Sequence, residues 1–153
     1  MDAEQEKIAF DRAVRYHVYD YVMGEGLPPT IAEISSVLSR SADQVSSSFQ
    51  RLAEGHILVL QKGNGEILMA NPFSAVPTPF LVKAGGRSYY GNCIWDAMGI
   101  PAMLRQDATI EASCGCCSTA MNLRITDGSV EEARGIAHFA IPAAHWWDDI
   151  VFN

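Results

Sequence analysis

Cys93 and Asp96, in the stretch Tyr89-Tyr-Gly-Asn-Cys-Ile-Trp-Asp-Ala-Met-Gly-Ile-Pro101, are the residues of this chain whose types and spacing could do chemistry together. If the stretch is helical, an i, i+3 spacing sets a soft thiolate and a proton-carrying carboxyl side by side on one face. Few reactions need both groups. One that does is cleavage of a carbon–metal bond, where sulfur holds the soft metal and an acid hands a proton to the departing carbon. The structural alternatives are plain: Cys93 as an inert buried thiol, and Asp96 as an acid supporting a helix start.

A second group of thiols crowds at Cys114, Cys116 and Cys117. With no export signal ahead of them, the cysteines read as metal or redox ligands rather than as a disulfide framework. No second Cys-x-x-Cys and no histidine pair stands at finger spacing, so a structural zinc site would have to recruit His138 or His145 from afar. A soft-metal site fits better. The adjacent Cys116 and Cys117 cannot easily close a relaxed disulfide. His17 and His56 read as structural histidines. Trp146-Trp147, followed by Asp148-Asp149, reads as packing for a terminal element, with a tryptophan wall beside an aryl or alkyl group as the functional alternative.

Composition limits what these groups can belong to. The 153 residues carry a net charge of −7, with 48% hydrophobic and 19% charged side chains, enough to bury a core and too acidic for a large polyanionic partner. The start, Met1-Asp-Ala-Glu-Gln-Glu-Lys7, is polar, and no run is long and apolar enough to span a bilayer. A soluble, cytoplasmic protein is expected, with no membrane partner.

The elements that must position the site are legible in outline. Ile8, Phe10, Val14, Val18, Tyr19 and Val22 recur at helical spacing, and Gly24, Gly26 and Pro28-Pro29 end that helix. Thr30-Ile-Ala-Glu33 and Ser41-Ala-Asp-Gln44 are capping-box patterns that open helices through Leu38 and Leu52. Ile57 to Leu60, the turn Gly63-Asn-Gly65 and Ile67 to Ala70 predict a β-hairpin. Three helices and a hairpin make a winged-helix-like module over residues 1–70. Its third helix has Arg51 as its sole basic residue, too few cations to track phosphates, so nucleic acid is an improbable partner and a structural role fits better.

Residues 71–79, with three prolines, read as a linker. Residues 80–153 form the second unit. Strands are predicted at Phe80 to Lys83, Ala108 to Ala112, Met121 to Ile125 and Gly135 to Ala140, with a further candidate from Asp149 to Phe152. A helix is predicted from Asn92 to Met98, broken or kinked at Gly99-Ile-Pro101. The fold class is α+β: the winged-helix-like module, then a small mixed sheet against the helix carrying Cys93 and Asp96.

Asn-Cys-Ile-Trp-Asp96, Gly-Ile-Pro-Ala-Met-Leu104, a strand ending in Ala112-Ser-Cys114, Ala140-Ile-Pro142 and the run from Trp146 to Phe152 together resemble the organomercurial (alkylmercury) lyase family. The likeness covers nearly the whole chain. It implies that Cys93 captures mercury and Asp96 delivers the proton to carbon, that no cofactor is required, and that mercury(II) is the bound product. It implies a small organomercurial substrate, and a mercuric reductase or a thiol acceptor as recipient of the metal. Family members carry a further catalytic cysteine on a C-terminal strand; no cysteine follows Cys117 here, so the resemblance implies either that this strand lies beyond Asn153 or that the second thiolate role falls to Cys116 or Cys117, with Cys114 structural. A thiolate at a helix start gains from the positive end of the helix dipole. An apolar pocket of Ile94, Trp95 and Met98 would raise the pKa of Asp96, or the entering thiol would relay its proton. Two other classes remain open: a non-catalytic soft-metal thiolate binder, holding mercury or copper, which needs the cysteines but not Asp96, and a metal-responsive winged-helix regulator.

Overall fold

The computed structural model describes residues 2–131 and 135–151. Its first three helices are α1 (Ala3–Glu25), α2 (Ile31–Leu38) and α3 (Ala42–Glu54). Each begins at a reciprocal capping box, around Asp2 and Gln5, Thr30 and Glu33, and Ser41 and Gln44. The side chain at each N-cap accepts from the amide three residues on, as at Asp2 Oδ1, 2.8 Å from the Gln5 nitrogen. α1 ends at Gly26, whose φ of 91° is the left-handed conformation that glycine adopts without strain.

Strands β1 (Leu58–Leu60), β2 (Ile67–Ala70) and β3 (Phe73–Ser74) follow in a small antiparallel sheet. Val14 and Val18 of α1, Ile34 of α2, Val45, Phe49 and Leu52 of α3 and Leu58, Ile67 and Ala70 of the strands share one apolar core. Asp11 ties α1 to α3: its carboxylate accepts from Arg51 Nε at 2.7 Å, from Arg51 Nη2 at 2.5 Å and from the buried Ser48 hydroxyl at 2.7 Å.

The rest of the chain is built on a second antiparallel sheet in the order β5-β4-β6-β7-β8. Its strands are β4 (Leu81–Ala84), β5 (Arg87–Tyr90), β6 (Ala108–Ser113), β7 (Ala120–Thr126) and β8 (Ser129–Glu131). Helix α4 (Ile94–Leu104) lies between β5 and β6 in sequence and buries Ala97 and Ile100 with Val82, Ala84, Ala108, Ile110 and Ile125. Val22 of α1 and Phe73 join this second core, so one long helix supports both. Two hydrogen bonds reinforce that junction: Tyr19 Oη donates to the Asn71 carbonyl at 2.9 Å, and Tyr89 Oη to the Met23 carbonyl at 2.8 Å.

Several expectations change. Every pairing in the larger sheet is antiparallel, where a mixed sheet was expected. The predicted linker is packed, with Phe73 and Ser74 buried and paired to β2. α4 begins two residues later than predicted and continues through Pro101 to Leu104. Pro101 lacks the amide that would bond back to Ala97, but its own carbonyl still accepts from Gln106, so the last turn closes. Residues 135–140 are not a strand, because β8 occupies that edge of the sheet; Ile136 is 92% exposed. Residues 149–151 form a bend and turn instead of a strand, and Phe152 lies outside the described residues. Among the described residues, no helix is long and apolar enough to cross a membrane.

Candidate active site

The approach of α4 to the strands fixes the site. Gly91 follows β5 and bridges to Phe73, and its carbonyl accepts from the Thr78 hydroxyl at 2.6 Å. A Cβ at residue 91 would lie 2.7 Å from the Ala97 nitrogen, so only glycine lets the first turn of α4 come this near. Asn92 anchors the next position: its Nδ2 donates to Asn71 Oδ1 at 3.1 Å and to the Pro72 carbonyl at 3.3 Å. α4 therefore starts at a defined place.

Cys93 is the N-cap of α4, in extended conformation, rather than a residue of its first turn. Asp96 sits three positions on, inside that turn, so the pair keeps its predicted adjacency. Both residues line a cavity of about 310 Å³ with Met69, Asn71, Asn92, Trp95, Phe139, Trp146, Trp147, Ile150 and Val151. One wall is the short 3-10 helix Ala143–Asp148. There Trp146 donates from Nε1 to the Ile141 carbonyl at 2.9 Å and tilts against Phe139 at 5.1 Å, while Trp147 stacks on His56 at 4.2 Å. The tandem tryptophans thus pack a terminal element and face the cavity as well.

Burial raises the pKa of Asp96, against the smaller opposing effect of hydrogen bonding to Asn92 and Cys93. The Cys93 thiol is also pushed up, first by burial, with the charge of Asp96 adding to it. The amides of Asp96 and Trp95 pull the other way, as a helix start should, but burial outweighs them. The expected net stabilisation of the thiolate is therefore reversed. Both shifts run in the direction of the protonated form.

The remaining thiols lie elsewhere. Cys114 and Cys116 line a second cavity, of about 670 Å³, with Ile94, Met98, Met121, Leu123, Ile136 and His138. Ile94 and Met98 face that cavity, whereas Cys93, Trp95 and Asp96 face the first, so α4 is the partition. Ile94 and Met98 are thus not part of the pocket expected around Asp96; Trp95 is, although 60% of it remains exposed. Cys117 is exposed and lines neither; its pKa is lowered by the Thr119 hydroxyl, then by the Thr119 amide and the Cys114 thiol. Among the described residues, no three His, Cys, Asp or Glu side chains stand close enough to hold a metal together, so Cys93, Cys116 and Cys117 do not form one cluster and neither His138 nor His145 completes one.

Met69, Asn71, Asn92 and Phe139 also line the Cys93 cavity without having been singled out in the sequence. Only Asn92 carried a signal, as a polar residue adjoining Cys93. The others reach the site through β2, the segment after it and the C-terminal coil, which no local spacing announces.

The alkylmercury lyase (MerB) family matches residues 73–152, just over half the chain and including every residue of α4. Among solved structures, the mercury-bound form of MerB2 superposes with a TM-score of 0.60 at 19% sequence identity, over 83% of this chain and 59% of that one. At that identity the likeness concerns the fold, and the chain spans about 59% of the length of that protein. No curated protein matches the chain. From the family match over more than half of its length, including Cys93 and Asp96, the chain belongs to the alkylmercury lyase family.

Proposed function

We propose that the Cys93 and Asp96 cavity cleaves carbon–mercury bonds of small organomercurials by protonolysis. The thiol of Cys93 displaces the leaving ligand X from R–Hg–X, forming a sulfur–mercury bond and releasing one proton. That proton goes to Asp96 if the carboxyl is ionised, and to solvent if it already holds one. Asp96 then protonates the carbon: the carbon–mercury bond breaks, R–H leaves, and mercury(II) remains on the Cys93 sulfur with the Asp96 carboxylate beside it as counter-charge. Charge and protons balance with no cofactor.

The observation that carries this reading is that a thiol and a carboxyl, both disposed by burial to hold protons, share the wall of one aromatic cavity. Mercury(II) selects sulfur over oxygen and nitrogen, and the tryptophan and phenylalanine rings suit an apolar R group. A retained proton is what a leaving carbanion equivalent needs, which gives the raised pKa of Asp96 a purpose. Among the described residues Cys93 is the one cysteine lining this cavity; Cys116 and Cys117 do not reach it.

Incubation with a phenylmercury salt and a small thiol tests the proposal. Benzene release that disappears in Cys93→Ser supports it. A stoichiometric adduct at Cys93 without benzene would replace it with a soft-metal binder, and salt-sensitive duplex binding without benzene would replace it with a regulator.

A further inference from the structure

The turn between β6 and β7 carries a pair of thiols outside the Cys93 cavity. Cys114 and Cys117 stand at Cys-x-x-Cys spacing, and two backbone hydrogen bonds close the turn on itself: the Cys114 amide donates to the Thr119 carbonyl at 2.9 Å, and the Ser118 amide to the Cys114 carbonyl at 2.8 Å. The second bond folds residue 117 back beside residue 114. Cys117 Sγ lies 3.1 Å from Thr119 Oγ1, on the residue whose backbone pairs with Cys114. Both cysteines are free thiols.

We propose that Cys114 and Cys117 form a chelating dithiol for a soft, two-coordinate cation such as mercury(II), copper(I) or silver(I). Binding mercury(II) makes two sulfur–metal bonds and releases two thiol protons to solvent. The coordination number follows from the surroundings: among the described residues no third cysteine, histidine or carboxylate joins the pair, so the four ligands zinc requires are not at hand, whereas two thiolates complete a linear soft-metal site. The Cys114 side of the loop adjoins a cavity lined mainly by apolar side chains, among them Met98, Met121 and Leu123, surroundings that suit a soft ion better than a hard, hydrated one. Cys114, expected to be structural, becomes a ligand. The dithiol lies across α4 from Cys93 and binds its ion whether or not the Cys93 cavity cleaves anything.

The test uses the full chain carrying Cys93→Ser and Cys116→Ser, which leaves only the pair. One equivalent of mercuric chloride is added, followed by about a tenfold excess of glutathione at micromolar protein, a concentration well below the effective molarity of a preformed chelate. Native mass spectrometry should show one mercury retained per monomer. Adding Cys117→Ser, an exposed position that leaves the fold intact, should reduce retention at least tenfold, and zinc should not be retained at all. Loss of mercury to glutathione from the two-thiol protein, retention indifferent to Cys117→Ser, mercury bridging two chains, or zinc held as firmly as mercury would each overturn the assignment. Because Cys93 is absent throughout, these outcomes are independent of carbon–mercury cleavage.

Discussion

Gly91 and Ala97 approach so closely that a methyl group on residue 91 would stand 2.7 Å from the Ala97 nitrogen and 3.0 Å from its Cβ. Ala97 is fully buried, its amide donates to the Cys93 carbonyl at 2.9 Å, and it directly follows Asp96, so the contact sets how deep the start of α4 sits. Gly91→Ala should destabilise the protein by about 1–3 kcal/mol through overpacking, read from the denaturation midpoint. It should also lower benzene release in excess of any unfolded fraction, because the turn carrying both groups is pushed outward. Unchanged turnover in a destabilised Gly91→Ala protein would separate the contact from the site.

Asp96→Asn keeps the shape of the side chain but cannot supply a proton. Removing a positioned acid lowers rates by about 10²–10⁴. Mass spectrometry of Asp96→Asn treated with a phenylmercury salt should therefore show the arylmercury adduct on Cys93 accumulating, with benzene release lower by that factor. Cys93→Ser should lose the adduct at that position as well. An Asp96→Asn protein that turns over normally would show that the proton comes from elsewhere.

The raised pKa of Asp96 also predicts a pH signature in stability. Between the unfolded carboxyl's value near 3.8 and its higher value in the folded protein, the native state holds more proton than the unfolded one. Stability therefore falls as pH rises through that window. Asp96→Asn removes the titration, so its Tm should exceed that of the natural chain at neutral pH, with the advantage shrinking as pH is lowered toward 3.8. Thermal melts over pH 3–8 decide it; a difference independent of pH would mean that burial does not raise this group.

Asp11 shows the opposite sign. Burial acts to raise its pKa, but hydrogen bonds from Arg51 and Ser48 and the charge of Arg51 outweigh burial and hold the carboxyl below its ordinary value. Its contribution is present above about pH 3.8 and is lost as pH falls through the lower folded value. Asp11→Ala leaves the buried Ser48 hydroxyl without its acceptor and should destabilise by about 1–3 kcal/mol at neutral pH. Denaturant titrations at pH 7 and near pH 2 should show that loss shrinking in acid.

Trp146 lines the cavity and tilts against Phe139. An aryl group on mercury can pack on these rings where a methyl group cannot, and aromatic pairs contribute about 0.5–1.5 kcal/mol beyond burial, or roughly 2–10-fold in affinity. Trp146→Ala should raise KM for phenylmercury by about that factor and leave methylmercury nearly unchanged. Equal losses for both substrates would assign Trp146 to holding the terminal segment alone.

The amino-acid sequence by itself determined what local bonding decides. The starts of α1, α2 and α3 rest on hydrogen bonds spanning three residues, as between Thr30 and Glu33, so Thr30 and Ser41 announced their helices before any packing was known. The same short range made Cys93 and Asp96 neighbours, whichever of them caps the helix. Tertiary structure decided the rest. Gly135 to Ala140 has a strand-like sequence, but a strand needs a partner edge, and β8 had taken it; Phe73 and Ser74 looked like linker and became β3 because β2 offered one. The direction in which the Cys93 pKa moves, the arrival of Phe139 and Trp146 at its cavity, and the separation of Cys116 and Cys117 from it all depend on which surfaces α4 divides. Burial is a sum over residues distant in sequence, so no spacing along the chain encodes it.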